Sequence, residues 1–169
     1  MENPTVGNRV IILGCPGSGK STLAVQLHRR TGLPLFHLDN VWWNADRTHV
    51  TREEFDSRLE AILRGERWIV DGDYARTYEP RFRACDTVVF LDCGREECLR
   101  GIAERVGAAR TDIPWTEDRL DPALAELVVR YRAENRPKVF ALMEKYPDRQ
   151  ALVFRTREQA QAWLAGLSG

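Results

Sequence analysis

Net charge is the first thing the chain lacks. Its 25 lysines and arginines balance 25 aspartates and glutamates, so it has no overall electrostatic case for gripping nucleic acid or an anionic membrane. No apolar run is long enough to cross a bilayer, and the opening residues, MENPTVGNRV, contain no apolar signal core. A cytoplasmic location is expected. The four cysteines, Cys15, Cys85, Cys93 and Cys98, include no C-x-x-C pair and no zinc-like grouping with His28, His37 or His49, which points to reduced thiols. There is no internal repeat, low-complexity tract or linker, and 169 residues suit one domain that buries a core without staples.

Against these absences stands one dense motif. Gly14 to Thr22 reads GCPGSGKST and fits the phosphate-binding template G-x-x-x-x-G-K-S/T, with Gly14, Gly19, Lys20 and Ser21 in the fixed places. The flanks supply the context such a loop needs. Before it, Arg9-Val-Ile-Ile-Leu13 is a short β-branched run that reads as a buried strand. After it, Leu23, Leu27 and the stem of Arg30 share a helical face, basic residues fill the last turn, and Gly32 is placed to cap it. Glycines let successive N–H groups turn inward around an anion, and the helix starting near Lys20 adds its positive end. Cys15, Pro16, Gly17, Ser18 and Thr22 complete the cradle. Lys20 can reach β- and γ-phosphates as a point charge, and the Ser21 hydroxyl can ligate Mg²⁺. The loop alone implies bound nucleoside triphosphate and magnesium, and does not say what becomes of them.

Four further strands are expected: Leu35-Phe-His-Leu-Asp39, Arg67-Trp-Ile-Val-Asp71, Thr87-Val-Val-Phe-Leu-Asp92 and Ala151-Leu-Val-Phe154. Capping-box patterns at Thr51-Arg-Glu-Glu54 and Thr156-Arg-Glu-Gln159 open helices. Glu96 to Val106 reads as another helix, and Thr116 to Tyr146 as one or two, divided or kinked at Pro137. Alternating strands and helices imply a parallel sheet covered on both faces. Gly107 to Thr116, rich in Gly, Ala and Pro, reads as a loop free to move, with no packed face of its own. In such sheets ligands bind beyond the carboxyl ends of the strands, where Asp39, Asp71 and Asp92 fall. A strand-end aspartate serves equally well as a turn former or helix cap.

With these pieces assembled, the chain resembles the nucleoside monophosphate kinase group. It looks most like the small bacterial adenylate-kinase-related proteins labelled DNA topology modulation or FlaR-like proteins. GCPGSGKST, LFHLDNVWW, WIVDGDYART and RPKVFALMEKY carry the likeness, which runs from about Arg9 to Leu167. It implies a three-layer α/β P-loop fold with five parallel strands ordered 2-3-1-4-5. It also implies a short lid over about residues 107–119, within a single nucleotide kinase-like domain. Asp71 takes the part of the aspartate in the kinases' D-G-F-P-R segment, near magnesium through water. Here Asp73-Tyr74-Ala75-Arg76 replaces F-P-R and the arginine arrives one place late, so an acceptor-phosphate role for Arg76 stays open. Asp39 stands where related kinases hold an acceptor, Arg110 and Arg119 resemble lid arginines, and Arg100 and Thr156 are expected near the nucleotide.

Each of these has a plainer alternative. Arg100 and Arg105 fit the wet face of a helix, and a loop arginine is by default solvated. Trp42 and Trp43, if on a strand or extended loop, point to opposite sides, one to the core and one free for an acceptor. The expected function is transfer of the γ-phosphoryl of ATP to a small acceptor, a nucleotide among the candidates. Lys20, Asp39, Asp71, Arg110 and Arg119 are the catalytic set. The rival is an ATP-binding regulatory module or weak ATPase acting on a macromolecule through the Arg130 to Lys138 surface.

Overall fold

The computed structural model describes residues 4–168. Its centre is β1 (Arg9–Gly14), whose residues Val10 to Leu13 are wholly buried. On one side β1 pairs with β3 (Trp68–Asp71), and β3 with β2 (Leu35–His37). On the other it pairs with β4 (Thr87–Leu91), and β4 with β5 (Gln150–Phe154). All four pairings are parallel and the order is 2-3-1-4-5, as the resemblance implies. A strand hydrogen-bonded on both edges has no water on either, so β1, β3 and β4 must be apolar on both faces, and they are.

Helices pack on both faces of this sheet. α1 (Lys20–Thr31) lies on β1 and β3 and meets α8 (Arg157–Gly166), whereas α4 (Tyr78–Ala84) lies on β1 and meets α7 (Arg136–Lys145). The ends of α1 and of α3 (Arg52–Leu63) form as the sequence dictates. Gly32 caps α1 at a left-handed φ of 71°, and Thr51 accepts the Glu54 N–H to start α3, a cap worth about 1 kcal/mol. α5 runs Arg95–Glu104, two residues short of the expected end. The stretch after the lid splits at Asn135 into α6 (Pro122–Glu134) and α7, because Pro137 in the first turn of α7 has no N–H to continue the ladder.

Two expectations need correction. The second strand stops at His37, and Leu38–Trp42 is a short helix, α2. β2 is an edge strand whose partner β3 ends at Asp71, opposite His37; beyond that register no ladder remains and the chain coils instead. Asp39 therefore sits in the first turn of a helix, and Trp42 and Trp43 belong to its last turn and its extended exit. The segment after α5 has a packed face after all. Asp112 and Ile113 are buried, and the Gly107 N–H closes the loop on the Glu117 carbonyl at 2.6 Å.

What positions the phosphate loop is a close approach of backbones. A methyl group built on Gly101 would collide with the Gly17 carbonyl, and one on Gly17 with the Cys98 carbonyl. Gly17 also has a φ of 84°, a left-handed conformation that favours glycine. Gly101→Ala should lower stability by about 1–3 kcal/mol in chemical denaturation through overpacking. Gly94→Ala, where an added methyl meets nothing within 4 Å, should stay within about 1 kcal/mol of the parent.

Candidate functional site

A cleft of about 440 Å³ opens over the phosphate loop. Its floor is Gly17, Gly19, Lys20, Ser21 and Thr22, and its walls come from α1, α5, the 107–117 loop and the start of α8. Gly19 precedes α1 at a φ of 94°, which turns the loop amides toward the helix start. Ser18 N–H closes the turn on the Cys15 carbonyl at 3.0 Å. The Ser18 hydroxyl is buried without a partner, the state expected of a polar atom awaiting a ligand. Gly14 ends β1, and Cys15 and Pro16 are buried, so they can serve an anion only through the backbone. Lys20 Nζ lies 3.4 Å from the Cys15 carbonyl.

Three guanidinium groups line this cleft: Arg105, Arg110 and Arg157. The Nε atoms of Arg105 and Arg157 are buried and unpartnered. Arg157 donates to the Gly17 carbonyl, tying α8 to the phosphate loop. Arg110 is gripped by Asp112 at 2.5 and 2.9 Å and by Glu117 at 3.0 Å. Burial lowers the Arg105 pKa and the nearby Arg110 charge lowers it further. An anion in the cleft would reverse that stress.

Of the expected site residues, Arg100, Arg119 and Thr156 are not brought here. Arg100 and Arg119 are exposed and absent from the cleft walls, and the Thr156 hydroxyl caps α8 by accepting the Gln159 N–H at 3.1 Å. The structure puts Arg105 and Arg157 where Arg100 and Thr156 were expected. The signal for Arg105 was present. Cys98, Gly101 and Ile102 are the buried residues of α5, and Arg105 continues their i, i+3, i+4, i+7 stripe, whereas Arg100 lies off it. Nothing in the sequence singles out Arg157 beyond its place after the cap.

On the far side of Lys20 the carboxylates gather. Asp71, at the end of β3, is buried and pairs with His37 Nδ1 at 3.0 Å. Asp112 reaches across from the loop to accept the Ser21 hydroxyl at 2.9 Å. Burial pushes the Asp112 carboxyl up, but the Arg110 hydrogen bonds and charge overcome it and leave its pKa lowered. Burial likewise opposes protonation of His37, yet Asp71 prevails and raises it. Asp39 is half-buried and accepts the Tyr74 hydroxyl at 2.6 Å. Burial pushes its carboxyl above the usual range; the Tyr74 bond and Lys20 pull it down, while Asp71 and Asp112 push it further up.

The turn after Asp71 is unusually well held. Arg81, fully buried, donates to the Gly72 and Asp73 carbonyls and to the Thr77 hydroxyl. Asp73 accepts from Tyr131 at 2.8 Å and Asn135 at 2.9 Å. Tyr74 takes a left-handed φ of 37°, a strain of order 1 kcal/mol, and thereby delivers its hydroxyl to Asp39. Arg76 turns away to a bidentate pair with Asp56, so it is not an acceptor-side ligand here. Asp92, one residue beyond β4, is tied up by Arg136 at 2.8 and 3.0 Å. A β-branched core and two capping boxes could be read from sequence; this knot of backbone carbonyls on one arginine could not.

Serine, carboxylate and carboxylate are hard oxygen donors that suit Mg²⁺. Among the described residues no group of three His, Cys, Asp or Glu side chains could hold a metal by itself, which fits an ion bound largely through phosphates and water. No helix among them is long and apolar enough to cross a membrane.

Comparisons with known proteins agree with this geometry. The AAA domain family matches residues 10–114. No curated protein matches the chain. Among solved structures, an unliganded sugar kinase from Janibacter sp. HTCC2649 is similar at TM-score 0.54 and 20% identity, covering 95% of this chain and 96% of its own. A shikimate kinase from Bacteroides thetaiotaomicron is similar at 0.55 and 18%, with 94% of both chains covered. Another from Acinetobacter baumannii, in complex with shikimate, reaches 0.58 at 15%, covering 94% and 92%. At such identities the likeness establishes the fold, that of a P-loop kinase.

Asp39 yields a test that needs no ligand. The folded chain holds the Asp39 proton more tightly than the unfolded one, so stability falls as pH rises from the ordinary carboxylate value through the raised native one. Asp39→Asn should melt higher than the parent at pH 7, by about 2–4 °C per kcal/mol relieved. The gap should close as pH is lowered toward about 4. Equal melting temperatures at pH 7 would show that the buried carboxylate carries no strain.

Proposed function

Because the chain belongs to the AAA domain family, whose phosphate loop it carries intact, we propose that it is an ATP- and magnesium-dependent phosphotransferase that passes the γ-phosphoryl group to a small acceptor. One observation carries this reading: Asp39, a half-buried carboxylate with raised proton affinity, stands beside Lys20 but outside the donor cleft. A module that only binds or slowly hydrolyses ATP has no use for a second, desolvated carboxylate on the other side of its lysine. The three similar structures are named as sugar and shikimate kinases, which supports transfer to a small molecule.

The loop amides and Lys20 hold the β- and γ-phosphates. Arg105 and Arg157 face the donor from α5 and α8. Ser21 binds the metal directly and Asp71 through water, with His37 fixing the Asp71 carboxylate; the ion, when bound, neutralises charge on the transferred group. Asp39 orients the acceptor hydroxyl and accepts its proton as the oxygen attacks the γ-phosphorus and the bond to the ADP oxygen breaks. Arg110 offsets the charge developing in between, and closure of the 107–119 lid excludes water. Arg119 joins this set only when phosphates draw the lid further in. Within the family, the motifs GCPGSGKST and LFHLDNVWW place the chain with the adenylate-kinase-related topology modulation proteins, as a cytoplasmic enzyme of one domain.

The rival reading, signalling through Arg130 to Lys138, finds little surface to act through. Tyr131 and Asn135 are buried on Asp73 and Arg136 is engaged by Asp92. Calorimetry with Mg·ATP and mass spectrometry of products decide between the two. Lys20→Ala should lose ATP affinity or turnover with the fold intact. Asp39→Ala should cut transfer by about 10²–10⁴-fold while ATP affinity holds. ATP consumption that no small molecule stimulates, and that Asp39→Ala leaves unchanged, would overturn the proposal. Arg105→Ala should weaken ATP binding by about tenfold or more, whereas Arg100→Ala should leave it within about twofold, and the reverse ranking would move the donor site.

A further inference from the structure

Kinases that act on an anionic acceptor must neutralise its phosphate or carboxylate, and arginine is the usual instrument because its planar fork pairs both oxygens. The acceptor side of this site is built the other way. We infer that the phosphoryl acceptor is a hydroxyl compound bearing no anionic group, because the side chains around Asp39 offer carboxylates and aromatic rings while the nearby guanidinium groups are already engaged. The inference rests on the phosphotransferase reading and narrows its substrate class, excluding nucleoside monophosphates and carboxylate acceptors of the shikimate type.

The cations can be followed one by one. Arg76 lies closest in sequence to the Asp71–Tyr74 turn, and it is clamped by both oxygens of Asp56 at 2.7 and 2.9 Å. Arg81 is wholly buried and its fork is filled by Gly72, Asp73 and Thr77, so it cannot turn to a ligand without undoing that turn. Arg110 carries its charge toward Asp39, but Asp112 and Glu117 hold it from two sides. Arg47 sits 5.6 Å over the Trp115 ring. Lys20 belongs to the donor. Helix starts, the other common anion seats, are closed too: α2 begins with Asp39 itself, α3 with Glu53 and Glu54, and α4 with Glu79.

What remains is negative and flat. Asp39, Asp71 and Asp112 act on one another electrostatically, and a further anion beside them would meet like charge next to a triphosphate. The Tyr74 hydroxyl that holds Asp39 belongs to a ring packed on Phe55 at 5.1 Å and on Trp42 at 6.4 Å, and Trp42 stacks on His49 at 4.3 Å. Rings of this kind bind the C–H faces of uncharged rings, or cations.

The test does not require knowing the acceptor. A bacterial extract of small metabolites is split on an anion exchanger into unretained (neutral and cationic) and retained (anionic) fractions. Each is incubated with enzyme, magnesium and γ-labelled ATP, with Lys20→Ala as the blank; AMP and shikimate are run as defined anionic probes. Labelled product should form from the unretained fraction, with the retained fraction, AMP and shikimate each below about one-hundredth of that rate. Product from the retained fraction or from either probe at a comparable rate overturns the inference and leaves the phosphotransferase standing. No product above the blank from any of them overturns both.

Discussion

The rim of this sheet depends on how closely α5 can approach the phosphate loop. Gly17 and Gly101 meet backbone to backbone, with Cys98 behind them, and no larger residue fits at either place. That contact fixes the loop's height above β1 and β4. It also decides what the next turn of α5 presents, since one helical repeat beyond Gly101 brings Arg105 to the cleft. Arg157 locks the arrangement from the opposite wall by donating to the Gly17 carbonyl. Donor recognition here is less a matter of individual side chains than of two backbones in contact, from which arginines project at set distances.

The acceptor side uses a different device. A left-handed tyrosine and a sharp glycine turn are costly unless something over-determines them, and Arg81 does so with three hydrogen bonds from the interior of the protein. Asp73 extends the grip to the junction of α6 and α7. The reward is a carboxylate, Asp39, kept half out of water beside a lysine. In isolation that is an unstable placement; as part of a reacting site it is a stored readiness to take a proton.

Much of the fold was legible because it follows from local chemistry. The β-branched runs, the strand–loop–helix around GCPGSGKST, the caps at Gly32, Thr51 and Thr156, and the break at Pro137 are each decided within a few residues. What sequence reading missed was decided at a distance. The end of β2 depends on where β3 stops, so Asp39 was placed on a strand rather than in a helix. Arg100 was favoured over Arg105 on the strength of likeness, although the buried stripe Cys98, Gly101 and Ile102 pointed to the latter. Thr156 lies next to the residue that reaches the cleft, an error of one position with the side chain turned to its own helix. The loop from 107 to 117 looked unpacked from its composition; its anchors, Asp112 and Ile113, are two residues in a stretch otherwise without periodicity.

That loop is pinned at both ends of the site. On the donor side Asp112 accepts the Ser21 hydroxyl. On the acceptor side the Thr111 carbonyl accepts from Asn40 at 2.8 Å, and Trp115 meets Trp43 edge-on at 5.5 Å. One segment thus shares its attachments between two ligands that never occupy the same space. Whatever free energy either one contributes to seating the loop is available to the other, and by reciprocity each tightens the other by the same factor. An affinity measured for one ligand alone therefore describes a different, looser molecule from the one that turns over.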